Sequence, residues 1–268
     1  MQDLTLTLVQ GNPHWQQPAA NRSYFEDMLT AIGQPTDLVV LPEMFSTGFT
    51  MESAALAEPM QGPTHRWMLA QAARHGFALA GSLIIQEQER YYNRFLLTTP
   101  EGDTYSYDKR HLFRMAGEHQ YYTAGRQRSI ITYQGWRIMP QVCYDLRFPV
   151  WSRNRLADGQ AEYDLLLYVA NWPASRISAW DALLPARAVE NLCYSAGVNR
   201  TGTDGNDIPY NGHTAVYGPK AETLAFQADS ETTLTCRLSA GALQTYRNNF
   251  PAWMDADSFT IKEKNGQQ

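Results

Sequence analysis

Short apolar, β-branched runs alternate along the chain with longer segments whose apolar residues recur at helical spacing. Leu4–Val9 reads as a strand, and Pro18–Ile32 as a helix with Phe25, Met28, Leu29 and Ile32 on one face. Asp37–Leu41 is a compact strand of the buried type, ending at Pro42. A helix over Thr64–His75 is stopped by Gly76, which suits the left-handed turn after a helix. Phe77–Ile85 and Arg94–Thr99 follow as strands, with a turn at Pro100-Glu101-Gly102, and Thr104–Tyr107 is strand-like. The second half continues in this manner. Ile130–Tyr133, Trp136–Val142 and Asp164–Val169 read as strands, Ser178–Asn191 as a helix kinked at Pro185, and Cys193–Val198, His213–Tyr217 and Thr232–Cys236 as further strands. The interleaving predicts one α/β domain over residues 1–243, with 244–268 as an arm packed on the domain or on a partner subunit.

Composition narrows the class. Hydrophobic residues make up 44% of the 268 and charged residues 18%, which excludes a disordered chain or a simple coiled coil. A net charge of -5 gives no reason to expect nucleic acid or anionic membrane as a partner. No run approaches the ~18–20 apolar residues of a membrane helix. The start, Met1-Gln2-Asp3-Leu4-Thr5-Leu6, has no signal-peptide character. Three scattered cysteines, an odd count, fit a reducing compartment better than a disulfide framework, so the expected location is cytoplasmic.

Cys143 follows a strand directly, where a side chain is presented at a sheet end and the next N–H groups can face an oxyanion. A lone cysteine is more often an inert core residue, and Cys193 and Cys236, inside apolar patterns, read that way. A thiol with a pKa near ~8.5 needs a base and a cation to attack an amide. Glu43 and Lys109 stand at strand ends, yet taken singly Glu43 reads as a solvated loop carboxylate and Lys109 as one charge among several.

Together they form an ordered set. Leu41-Pro42-Glu43, then Tyr107-Asp108-Lys109-Arg110-His111-Leu112-Phe113, then Cys143-Tyr144-Asp145-Leu146-Arg147-Phe148-Pro149 closely resembles the three signatures of the nitrilase superfamily of amidases and related C–N hydrolases. Asn171-Trp172-Pro173, Arg187–Asn191 and Val198–Gly202 match as well, so the resemblance spans nearly the whole chain. It implies a four-layer αββα sandwich, assembled as a homodimer and working without metal or other cofactor. It also implies a triad of Glu43 as general base, Lys109 as oxyanion stabiliser and Cys143 as nucleophile, with the Tyr144 N–H as a second oxyanion donor. Glu118 resembles the family's additional glutamate, which orients the lysine and the substrate. Arg147 either meets a substrate carboxylate or pairs with Asp145, and Asn171 and Trp172 are expected to line the pocket.

Within the superfamily, Met44–Thr50 and Met115–Tyr122 resemble omega-amidases. That implies a small-molecule amide substrate, 2-oxoglutaramate with 2-oxosuccinamate second, and a place beside glutamine transamination and methionine salvage. Amidases of deaminated glutathione, carbamoyl amino acid hydrolases and nitrilases keep the same triad and stay open. Gly212-His213-Thr214 departs from the common pattern, with histidine where many relatives have serine. The remaining rivals find less support: the six histidines lack metal-ligand spacing, and His111 as a papain-like base competes with the stronger Lys109 motif. A catalytically silent binding protein would have lost a triad member.

Overall fold

The computed structural model describes residues 1–157 and 159–262. Two seven-stranded sheets form the centre. Both are built around three parallel strands. Leu4–Gln10, Leu38–Val40 and Ala78–Glu87 run parallel in the first sheet. In the second, Trp136–Val142, Leu165–Val169 and Tyr194–Val198 do the same. Antiparallel strands extend each set outward, including Arg90–Thr98 and Thr104–Asp108 in the first and Pro209–Tyr217 in the second.

Alternation along the strands decides which layer each residue enters. Leu4, Leu6, Leu8, Leu38 and Val40 point between the sheets and meet Ile138, Leu165, Leu167 and Ala196 of the other. Val9, Val39 and Leu41, of opposite parity, face Phe25 and Leu29 of helix Pro18–Thr30 and Met68 and Ala72 of helix Pro63–His75. Helix Ile177–Asn191 covers the far side of the second sheet through Trp180, Leu184 and Ala188. Each fully buried leucine contributes roughly 1.5–3 kcal/mol to this arrangement. The result is the αββα sandwich that the resemblance implies.

Most predicted elements lie within a few residues of the observed ones, and Trp136–Val142 has the same bounds. Gly76 is left-handed at φ 75°, as a helix stop requires. Pro185 is accommodated inside a continuous helix. Strands Thr201–Thr203 and Thr223–Ala228 were not expected. The expected division at 243/244 falls inside helix Ala240–Asn249, whose Arg247 reaches Asp164 at 2.5 Å and the carbonyl of Leu192 at 2.8 Å. Residues 263–268 of the expected arm lie outside the described residues. Among the described residues, no helix is long and apolar enough to cross a membrane.

Candidate active site

Three of the four segments that build the site leave parallel strands at their carboxyl ends, where an α/β sheet opens a crevice. Glu43 follows Leu38–Val40 after Leu41 has added one more ladder bond to Ala80. The chain then turns at Met44, left-handed at φ 43°, whose N–H donates to the Ser82 hydroxyl. Cys143 follows Trp136–Val142 directly and is itself left-handed at φ 45°. Asn171 and Trp172 close the strand Leu165–Val169. The fourth segment is antiparallel: Lys109 ends Thr104–Asp108 and donates its N–H to the Asn93 carbonyl.

These side chains converge. Lys109 Nζ lies 2.9 Å from Glu43 Oε1 and 2.9 Å from Glu118 Oε1, and all three side chains are sealed from solvent. Asn93 Nδ2 donates to Glu43 Oε1 at 2.7 Å and, more weakly, to Glu118 Oε1 at 3.4 Å. The Asn171 N–H donates to Glu43 Oε2 at 2.8 Å, and the Phe113 N–H to Glu118 Oε2. Lys109 and half-buried Cys143 share the wall of a pocket of about 280 Å³. Cys143 Sγ is 3.9 Å from the Asn171 carbonyl.

The electrostatics follow from burial and charge count. Burial pushes the Cys143 thiol well above its ordinary value; Glu43 and Glu118 add to this, and Lys109 opposes it. Burial by itself would lower Lys109, but Glu118, Glu43 and Cys143 outweigh it and hold the ammonium charged. Glu118 is raised by burial and by Glu43, against the pull of Lys109. Two carboxylates thus share one lysine in a dry environment, and each buried oxygen has donors.

Of the expected substrate contacts, Tyr144, Arg147, Asn171 and Trp172 all line the pocket. Glu118 stands behind Lys109 and does not. Arg147 does not pair with Asp145. That carboxylate is consumed by the His111 N–H at 2.9 Å, His111 Nδ1 at 2.7 Å, the Tyr107 hydroxyl at 2.8 Å and the Val142 N–H at 3.1 Å. Arg147 instead lies over the Trp172 ring, 5.1 Å from its centroid. Asp145 thereby staples the Cys143 turn to the Lys109 loop, and occupies His111. His213 bonds Asp181 at 2.9 Å and is not a pocket residue. Among the described residues, no three His, Cys, Asp or Glu side chains form a metal-ligand set.

Sequence reasoning missed Asn93, because it falls in the half of Arg90–Thr98 that was not assigned to the strand. It also missed Arg176 and the segment Asp204–Tyr210, which completes the pocket wall. Arg176 had one usable signal, its position three residues after Asn171-Trp172-Pro173.

A cysteine, a lysine and a glutamate meet at one crevice of an αββα sandwich, and the chain belongs to the carbon-nitrogen hydrolase family, whose model matches residues 5–248. Its fold is that of the nitrilase superfamily. The omega-amidase YafV of Escherichia coli K12 is 48% identical over 97% of this chain and 100% of its own length. A 2-oxoglutaramate amidase of Bacillus subtilis is 29% identical, covering 94% of this chain and 96% of that protein. The crystal structure of XC1258 from Xanthomonas campestris, a CN-hydrolase superfamily protein with an arsenic adduct in the active site, is 48% identical with a TM-score of 0.96, over 98% of this chain and 100% of that one.

Proposed function

We propose that the chain is an omega-amidase that hydrolyses 2-oxoglutaramate to 2-oxoglutarate and ammonia, and 2-oxosuccinamate to oxaloacetate and ammonia. The observation that carries this reading is that Lys109 and Cys143 share one pocket, with Glu43 bonded to Lys109 behind its wall, in a chain 48% identical to omega-amidase YafV.

The proposed steps use the geometry directly. Glu43 takes the proton of the Cys143 thiol as the sulfur attacks the amide carbon, a role that suits a sulfur whose pKa is raised by burial. The oxyanion forms against the Lys109 ammonium and the N–H of Tyr144. That N–H stands in the first turn of the 3-10 helix Cys143–Arg147, where backbone donors lack partners within the helix. The proton passes from Glu43 to the leaving nitrogen, the C–N bond breaks, and ammonia departs from a thioester. Glu43 then deprotonates a water, which attacks the thioester carbonyl; the C–S bond breaks and the thiol returns. Glu118 and Asn93 act as positioning residues that hold Lys109 and Glu43. Arg147 meets the carboxylate at the other end of the substrate, and Asn171 and Trp172 shape the space between.

The same reading makes the protein a cytoplasmic homodimer. Three unpaired cysteines suit a reducing compartment, and Val150, Val189, Phe250 and Met254 are apolar and exposed, as a subunit contact would use them. The functional test is ammonia release from 2-oxoglutaramate, glutamine, nitriles and N-carbamoyl amino acids side by side. The expected order puts 2-oxoglutaramate first in kcat/KM. Preference for a nitrile or a carbamoyl amino acid would move the chain to another branch of the family.

A further inference from the structure

Arginine 176 has no role in the steps above, yet its surroundings are those of a ligand contact. It lines the same pocket as Cys143 and Arg147. Its guanidinium lies over the Phe113 ring, 5.1 Å from the centroid, as Arg147 lies over Trp172. Among the described residues, neither guanidinium is in an ion pair with a carboxylate, although Arg22, Arg74, Arg94, Arg128, Arg137, Arg187, Arg237 and Arg247 all are. The acid that shares the pocket, Asp204, is spent within its own loop. Its oxygens accept from the Asn206 and Ile208 N–H groups and from the Tyr210 hydroxyl.

The two arginines are organised by one residue. Trp172 supports Arg147 on its ring face, and its indole N–H donates to the backbone carbonyl of Arg176 at 2.8 Å. The strand end that carries Asn171 and Trp172 therefore fixes both guanidiniums relative to Cys143, whose Sγ faces the Asn171 carbonyl. Each guanidinium lies over an aromatic face and is in no ion pair among the described residues, which leaves N–H donors for a ligand carboxylate.

We propose that Arg176 is the second arm of a two-arginine carboxylate clamp, and that Arg147, Trp172 and Arg176 together restrict this site to ω-monoamides of dicarboxylic acids. The inference rests on the amidase reading and extends it from one arginine to a pair. Carboxylate capture at one end sets the distance to the carbonyl that Cys143 attacks, so amides without a terminal anion lose orientation as well as binding. Because the Trp172 bond is to backbone, removing the Arg176 side chain leaves that bond in place.

The test uses two matched pairs of amides. One pair is 2-oxoglutaramate and 4-oxopentanamide, which has methyl in place of the carboxylate. The other is glutaramate and pentanamide, which differ in the same way and lack the ketone. Arg176→Gln should lower kcat/KM for both anionic amides by about ten- to a hundredfold, mainly through KM, and leave both neutral amides within about twofold. Arg176→Lys, which restores charge without the fork, should recover only part of the loss. Arg147→Gln combined with Arg176→Gln should lose less than the product of the single effects, as two groups on one ligand do. Equal losses for anionic and neutral amides would make Arg176 structural, no loss would make it a bystander, and full recovery by lysine would remove the paired geometry; each overturns the proposal. Failure of the parent substrate reading is distinct: wild-type enzyme would then prefer glutaramate to 2-oxoglutaramate, while the anionic-to-neutral ratio would still report on Arg176.

Discussion

The floor and the rim of the pocket treat charge in opposite ways. On the floor Lys109, with Glu43 and Glu118 behind it, is sealed from water, and these charges are answered by one another, by Asn93 and by backbone N–H groups. At the rim, Arg147 is exposed and Arg176 half-buried, and both rest on aromatic faces without a carboxylate. The floor is complete before substrate arrives. Charges that must act on a developing oxyanion work best when they need no rearrangement, and a dry setting strengthens them. The rim is incomplete until substrate arrives, which is how a site distinguishes a ligand that brings the missing charge. On the proposed reading, chemistry belongs to the part whose charges are already paired, and recognition to the part whose charges are not.

The sharpest way to break this contrast is at the sulfur. Cys143→Ala should lower turnover by about 10⁴-fold or more, with the thermal transition unchanged or higher; residual turnover near wild type would dissolve the mechanism. Next is Lys109→Met, which strands two buried carboxylates. It should cut kcat by about 10²–10³-fold and destabilise the fold by about 3–5 kcal/mol in urea unfolding. A stable Lys109→Met variant would mean that the floor was not preassembled.

A third measurement concerns the resting state of the thiol. Its pKa is raised by burial and by the neighbouring carboxylates, so the protonated form persists through neutral pH and the thiolate fraction grows as pH rises toward the shifted value. Alkylation of Cys143 by iodoacetamide, corrected with the Cys143→Ala variant, should therefore rise by about tenfold per pH unit from 7 to 9 without a plateau. A plateau below pH 8 would make thiolate the resting form. The smallest effect belongs to the rim. Arg147→Gln should raise KM by about tenfold with kcat nearly constant, and wild-type KM should climb with ionic strength more steeply than that of the Arg147→Gln variant.

What could be read along the chain follows the same division. Glu43, Lys109 and Cys143 were singled out at strand ends, which are visible in a one-dimensional pattern, but it was the ordered set of three motifs around them that raised them above solvated charges and an inert thiol. Strand Trp136–Val142 was found despite Pro140, which lies beyond the stretch paired with Ile131–Tyr133. Arg90–Asn93 was not assigned to a strand because its polar residues look solvated. Arg94 is in fact buried through its bonds to Asp108 and Glu87, and Asn93 is turned into the floor. Helix Ala240–Asn249 was obscured for a related reason: Arg247 reads as a surface charge until Asp164, a strand away, supplies its partner. Arg176 carries only a faint local mark, its place after Asn171-Trp172-Pro173, since its setting comes from Trp172 and Phe113 around it. Residues recognised by where the chain changes direction are readable; residues defined by a distant partner are not.

The left-handed backbone at Cys143 has an evolutionary consequence. For a residue bearing a Cβ, that conformation costs roughly 1–2 kcal/mol relative to the right-handed region, whereas glycine adopts it freely. A lineage selected for heat tolerance alone would therefore be drawn toward glycine at position 143, gaining robustness as it lost its sulfur. On the proposed mechanism, the strain at position 143 is the cost of presenting a sulfur there.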